Sequence, residues 1–251
     1  MAATDFFTPR TALIDGDIIA YRAAAWAHGN QGDLHDVVER VEAEAAEWQA
    51  RAFCNKAFIT LSCSRDDNFR RDHYPLYKNH RTGDPPAMLN EAKRAIRKLA
   101  TTITIPRLEA DDIMGVLATG TKVVNPVIVT IDKDLRQVPG WHFNPDKEDF
   151  PVHVSERAAD EFFLLQWLTG DATDGFGGIK GVGPAKAAKL LATADPLDLH
   201  GAVLEAYAEK GYTEEEAIAQ ARCARILRAS DFDGEARVAI PWTPDNNRVE
   251  S

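Results

Sequence analysis

The sequence predicts an α/β fold with a mainly parallel central sheet flanked by helices, followed by a helical subregion. Three short apolar runs carry the first half of that expectation: TALIDGD (11–17), KAFITLSC (56–63) and PVIVTIDKD (126–134). Each reads as a strand buried on both faces, and the first and third close on aspartates. Between them lie amphipathic stretches. Residues 34–53 set Leu34, Val37, Val38, Val41, Ala45, Trp48 and Ala52 at helical spacing, and 87–99 and 110–118 read as helices too. Alternating strands and helices build a parallel sheet covered on its faces, and ligands then bind beyond the carboxyl ends of the strands. After residue 150 only helices are expected, at 155–168, 184–192 and 214–229, around a glycine-rich turn at 175–183. The division that follows is an α/β core over 1–150, a helical subregion over 151–240 and a tail over 241–251.

With 251 residues, 45% apolar and 27% charged, the chain is long enough to bury one sizeable core and an appended element. No run approaches the roughly 18 apolar residues that cross a bilayer, so a cytoplasmic protein without membrane contact is expected, a monomer. Cys54, Cys63 and Cys223 have neither disulfide nor zinc spacing and read as inert thiols. A formal charge of −10 argues against a nucleic-acid partner until its distribution is read. Basic residues gather in 65–98, and 178–190 carries Lys180, Lys186 and Lys189 without an acid. The negative excess lies in 33–47, in 205–216 and in short clusters at predicted element ends.

Those clusters are Asp15 and Asp17; Glu109, Asp111 and Asp112 in LEADDIMG; Asp132 and Asp134 in TIDKDL; and Asp171 and Asp174 in GDATDG. Alone, an EADD stretch reads best as a helix amino terminus, where acids cap free amides and favour the dipole. A parallel sheet changes the balance by bringing at least three clusters to one edge. Carboxylates so crowded raise one another's pKa and stay ionised only beside a compensating cation. A hard divalent ion with oxygen ligands suits them, and two such ions about 4 Å apart serve in-line phosphoryl displacement.

The stretch NFRRDHYPLYKNHR (68–81) interleaves Phe69, Tyr74 and Tyr77 with Arg70, Arg71, Lys78 and Arg81. It reads equally as a base-stacking, phosphate-tracking segment and as a solvated basic loop with aromatics turned to the core. GIKGVGPAK (178–186) is more specific: Gly181 and Gly183 permit close backbone approach, Pro184 starts a helix, and Lys180 and Lys186 flank amides that suit a phosphate. A phosphate-loop NTPase is excluded because the GK[ST] ending is missing.

Taken in order, LIDGD, FR…YKNHR, EADD, TIDKDL, GDATDG and GIKGVGPAK resemble the motif series of the 5′-nuclease family, the flap endonucleases and 5′→3′ exonucleases, across about residues 11–192. The compact chain looks closest to podophage-type exonucleases. The resemblance implies a PIN-like core with a helix-hairpin-helix element, and Mg²⁺-dependent hydrolysis of DNA, or of an RNA–DNA hybrid, near a 5′ end. It implies two Mg²⁺, replaceable by Mn²⁺, with Asp15, Glu109, Asp111 and Asp112 organising one and Asp132, Asp134, Asp171 and Asp174 completing the pair. It gives Lys78 and Arg81 to the scissile phosphate, with Arg70 and Tyr77 beside them. Lys180, Gly181, Val182, Gly183 and Lys186 would grip duplex backbone, with K⁺ at the hairpin. The chain departs from the series at one place: Ser62 and Cys63 stand where the family has a strand-end aspartate, and Asp66 is expected to fill it. Two rival readings are a duplex-binding protein without catalysis and a PIN-type ribonuclease; the hairpin weighs against the second.

Overall fold

The computed structural model describes residues 9–79, 83–99 and 101–244. A six-stranded sheet runs in the order β3-β2-β1-β4-β5-β6, where β1 is Thr11–Asp15, β2 Lys56–Thr60, β3 Thr102–Ile103, β4 Pro126–Val129, β5 Gly140–Phe143 and β6 Val152–Val154. Neighbouring pairs are parallel from β3 to β5, and only β6 is antiparallel, against β5. Side chains alternate along β1 as the pleat requires. Ala12 and Ile14 enter the core under α1 (Gly16–Asn30), α2 (Leu34–Arg51) and α3 (Leu89–Lys98), while Leu13 meets Met114 of α4 (Ala110–Thr119) on the other face.

Sequence and structure differ at α1, at β3, β5 and β6, at an unexpected helix over Leu199–Ala208, at the helix expected over 214–229, which stops at Ala224, and in the tail. Helix α1 carries AYRAAAWAHGN, whose alanines bury against the sheet without strong apolar contrast, so periodicity missed it. Sheet strands continue past residue 150 with β6, and a short hairpin pairs β7 (Phe232–Asp233) with β8 (Val238–Ala239). The expected tail is partly core. Trp242 is buried, edge-on to Phe163, Trp167 and His200.

The helical part comprises α5 (Glu156–Thr169), α6 (Pro184–Thr193), α7 (Leu199–Ala208) and α8 (Glu214–Ala224) around Phe163, Trp167, Tyr207 and Trp242. Tyr77, from the segment before α3, belongs to this second core. No helix among the described residues is long and apolar enough to cross a membrane.

Candidate active site

The strand order turns at β1, which lies between β2 and β4, and the carboxyl ends there open on a cavity of about 570 Å³. Asp15, Asp17, Glu109, Asp111, Asp132, Asp134, Asp171 and Asp174 all line it, with Lys78 and Lys93 among them. Asp15 ends β1. Its Oδ1 accepts the Asp17 and Ile18 amides at 3.1 and 3.2 Å, and its Oδ2 accepts the Thr130 hydroxyl at 2.9 Å, which fixes it beside β4. Asp132 follows β4 and accepts the Asp134 amide at 2.8 Å; Gln166 of α5 donates to Asp134 at 2.7 Å.

The loop carrying Asp171 and Asp174 is pinned by two glycines. Gly170 and Gly178 take φ +69° and +58°, and a Cβ on either would come within 2.3 Å of the other side's backbone. Asp171 Oδ1 accepts the Thr173 and Asp174 amides, turning both carboxyls toward the sheet edge. Lys78 is tied to the same loop by its amide, which donates to the Asp174 carbonyl at 2.8 Å; it sits at φ +53°, a left-handed conformation costly for a lysine. Its Nζ lies 2.6 Å from Glu109 and 3.5 Å from Asp174.

The charge pattern divides the pocket. Burial, then Asp17 and Asp132, pushes Asp15 up to about 7. Burial together with Asp15, Asp132 and Glu109 raises Asp111 well above the carboxylate range, and burial with Asp132 and Asp171 lifts Asp134 to about 6. Burial would raise Glu109 as well, but Lys78 and Arg70 beside it overcome that and hold it at about 2. One wall is therefore internally neutralised, and the other repels itself. Among the described residues no three His, Cys, Asp or Glu side chains already form a closed cage for a metal ion. The donor set nevertheless fits Mg²⁺, which keeps several waters and takes few direct carboxylates.

The self-repelling wall has a measurable consequence. A raised carboxyl stabilises the fold fully below its ordinary pKa, and that contribution is lost as pH rises through the folded value, here about 7 for Asp15. A divalent cation competes with those protons. The increase in melting temperature that Mg²⁺ produces over EDTA is expected to be larger at about pH 8 than at about pH 5.5. An increase that shrinks toward pH 8 in differential scanning fluorimetry would contradict a cation on this wall.

Two expected site residues, Asp112 and Asp66, lie outside the cavity, and two more, Arg70 and Tyr77, line it with their polar groups already engaged. Asp112 is fully buried outside the cavity, clamped by Arg70 in two bonds of 2.7 Å, and it also accepts the amides of Glu109 and Leu227. It holds the fold and has no lone pair facing the pocket space. Arg70 also donates to the carbonyls of Cys223 and Arg225, so its guanidinium is engaged within the protein although the residue lines the cavity. Tyr77 is buried too although it lines the cavity, its hydroxyl engaged by Glu109 at 2.9 Å and Asp174 at 3.0 Å. Asp66 is exposed on a 3₁₀ turn, Arg65–Asp67, and does not line the cavity. Cys63 does line it, but burial pushes its thiol up to about 12, ahead of Glu109 and Asp112.

Asp17 occupies the ground left at the end of β2. Its Oδ2 accepts the Ser62 amide at 3.0 Å. The DG-D spacing in TALIDGD was the available signal. Arg81 lies outside the described residues. Lys180, Gly181 and Gly183 are exposed and Val182 half-buried in the loop before α6, with Gly181 at φ +81°; Pro184 and exposed Lys186 stand in the first turn of α6, where the Lys186 Nζ donates to the Gly181 carbonyl at 2.9 Å.

The family model for the 5′-3′ exonuclease N-terminal resolvase-like domain matches residues 10–144. The chain is 26% identical to the exodeoxyribonuclease of Enterobacteria phage T3 over 246 residues, covering 84% of this chain and 80% of that protein. It is 30% identical to the flap endonuclease Xni of Shewanella sp. (strain W3-18-1), over 72% of this chain and 73% of the relative. Its fold is similar to that of the bacteriophage T5 D15 flap endonuclease in a pseudo-enzyme–product complex with DNA and metal ions, with a TM-score of 0.60 at 16% identity, covering 85% and 90% of the two chains.

Proposed function

From the premise that the chain belongs to the family of the 5′-3′ exonuclease N-terminal resolvase-like domain, we propose that it hydrolyses DNA phosphodiester bonds at or near 5′ ends, with divalent metal ions in the carboxylate pocket. The single observation that carries this reading is the convergence of Asp15, Asp111, Asp132, Asp134, Asp171 and Asp174 on one cavity beside a lysine.

Asp15, Asp111 and Asp132 would hold one Mg²⁺ and Asp134, Asp171 and Asp174 a second, Mn²⁺ serving in their place. Bound there, the cations would acidify a water and offset charge on the scissile phosphate. Glu109 aims Lys78 and keeps its ammonium charged, so Lys78 meets a phosphate oxygen as a fixed positive charge. Gln166 holds Asp134 in its rotamer. The loop with Lys180, Gly181, Val182 and Gly183, together with Lys186 in the first turn of α6, would present amides and ammonium groups to duplex backbone, with K⁺ a fitting companion for its carbonyls. A monomer acting on duplex or flap DNA, or on the RNA strand of a hybrid, is the form proposed.

The test is digestion of 5′-labelled and 3′-labelled duplex and flap DNA with Mg²⁺ or with EDTA, resolved on a denaturing gel. Magnesium-dependent release from the 5′ end is expected; a gel shift without cleavage would leave a DNA-binding protein.

A further inference from the structure

We propose that Lys93 is a tethered counter-cation of the carboxylate pocket, one that leaves Asp17 when a divalent cation enters and is then presented to a phosphate of the substrate strand. This rests on the metal-dependent reading above.

Lys93 belongs to α3, which Ala92 and Ile96 fasten to the core it shares with α1. Leu89, one turn earlier on the same face, lines the cavity together with Lys93. The Lys93 Nζ lies 2.5 Å from Asp17 Oδ1. The other Asp17 oxygen is fixed by the Ser62 amide, so this carboxylate stands rigidly at the end of β2, next to Asp15. Lys93 thus supplies positive charge beside Asp17, in the cavity where Lys78 faces Glu109.

The pair is built to exchange. Its side chains are 23% and 24% exposed, although the Asp17 Oδ1 that faces the ammonium is itself covered and makes no hydrogen bond, whereas the side chains of Arg70 and Asp112 are 3% and 0% exposed and doubly bonded. A lysine ammonium is a hydrated point charge on a flexible stem, which trades one anion for another without geometric penalty. A divalent ion entering beside Asp15 and Asp17 takes over the neutralisation. Lys93 is then an unneeded cation on a short tether at the cavity wall, and the anion arriving at that wall is a phosphate.

The experiment compares wild type with Lys93→Met in two measurements. Calorimetric titration with Mn²⁺ alone, without DNA, is expected to show about tenfold tighter binding by the variant, since one competing positive charge is gone. Binding to a duplex with non-hydrolysable linkages in Mg²⁺ is expected to lose about one unit of its salt-dependence slope. Lys93→Arg should restore both, which a purely structural contribution of the aliphatic stem would not require; Lys93→Gln replaces the methionine variant if that folds poorly. Equal Mn²⁺ affinity, or an unchanged salt slope, would overturn the exchange while leaving the nuclease reading intact. No Mn²⁺ binding by either protein would overturn both.

Discussion

Asp111→Asn is expected to slow 5′-end cleavage about a thousandfold or more without lowering the melting temperature of the metal-free protein. Metal-assisted charge stabilisation contributes several kcal/mol to phosphoryl transfer, and about 4 kcal/mol is a thousandfold in rate. Asp111 stands on the cavity wall at the first turn of α4, where burial and the charges of Asp15, Asp132 and Glu109 all oppose its ionisation. An amide of the same shape removes that repulsion, so the fold loses nothing. Single-turnover rates on a flap substrate and a thermal melt in EDTA measure the two halves. Normal turnover would remove Asp111 from the metal site, and a large drop in melting temperature would mean that its carboxylate serves the fold.

Asp112→Asn, one residue on, is expected to do the reverse. Breaking a buried ion pair by neutralising one partner costs about 3–5 kcal/mol, because the other charge stays buried. Here the group left behind is the Arg70 guanidinium, 3% exposed and with only its 3.3 Å contact to Glu109 remaining as an ion pair, and the amide also forfeits one of the acceptors that hold the Glu109 and Leu227 amides. Urea denaturation should show that loss, while the protein that remains folded keeps cleaving, since Asp112 has no place on the cavity wall. If Asp112→Asn kept full stability and lost cleavage, Asp112 would be a ligand after all. Adjacent aspartates with opposite phenotypes are a stringent check on the geometry.

That opposition also marks where sequence reading stops. EADD announces a helix start, but a helix turns about 100° per residue, so Asp111 and Asp112 face different surroundings that composition cannot distinguish. Strand-end aspartates such as Asp15 and Asp132 were legible because a parallel sheet has one carboxyl edge. Arg70 was not, because a cation between polar residues reads as surface, and Tyr77 was left between stacking platform and core aromatic; their partners lie 42 and 97 positions away in Asp112 and Asp174. Asp17 was visible as a letter but not as a site. Its docking on Ser62 depends on the contact of β1 and β2, strands 45 residues apart at that bond. Short strands β3 and β6 escaped for want of length, and α1 for want of polar contrast.

The clamp on Arg70 has a bearing on how the protein is made. Arg70 and Asp112 are translated 115 to 155 residues ahead of the carbonyls of Cys223 and Arg225 and the amide of Leu227 that complete their shell. Chains emerge from the ribosome amino terminus first. Until α8 and the residues behind it have been released, the guanidinium that helps keep Glu109 ionised, and through it Lys78 in place, lacks its enclosure. The neutralised wall of the cleft therefore closes only once residue 227 has emerged, later than the carboxylates up to Asp174 that share the cavity with it.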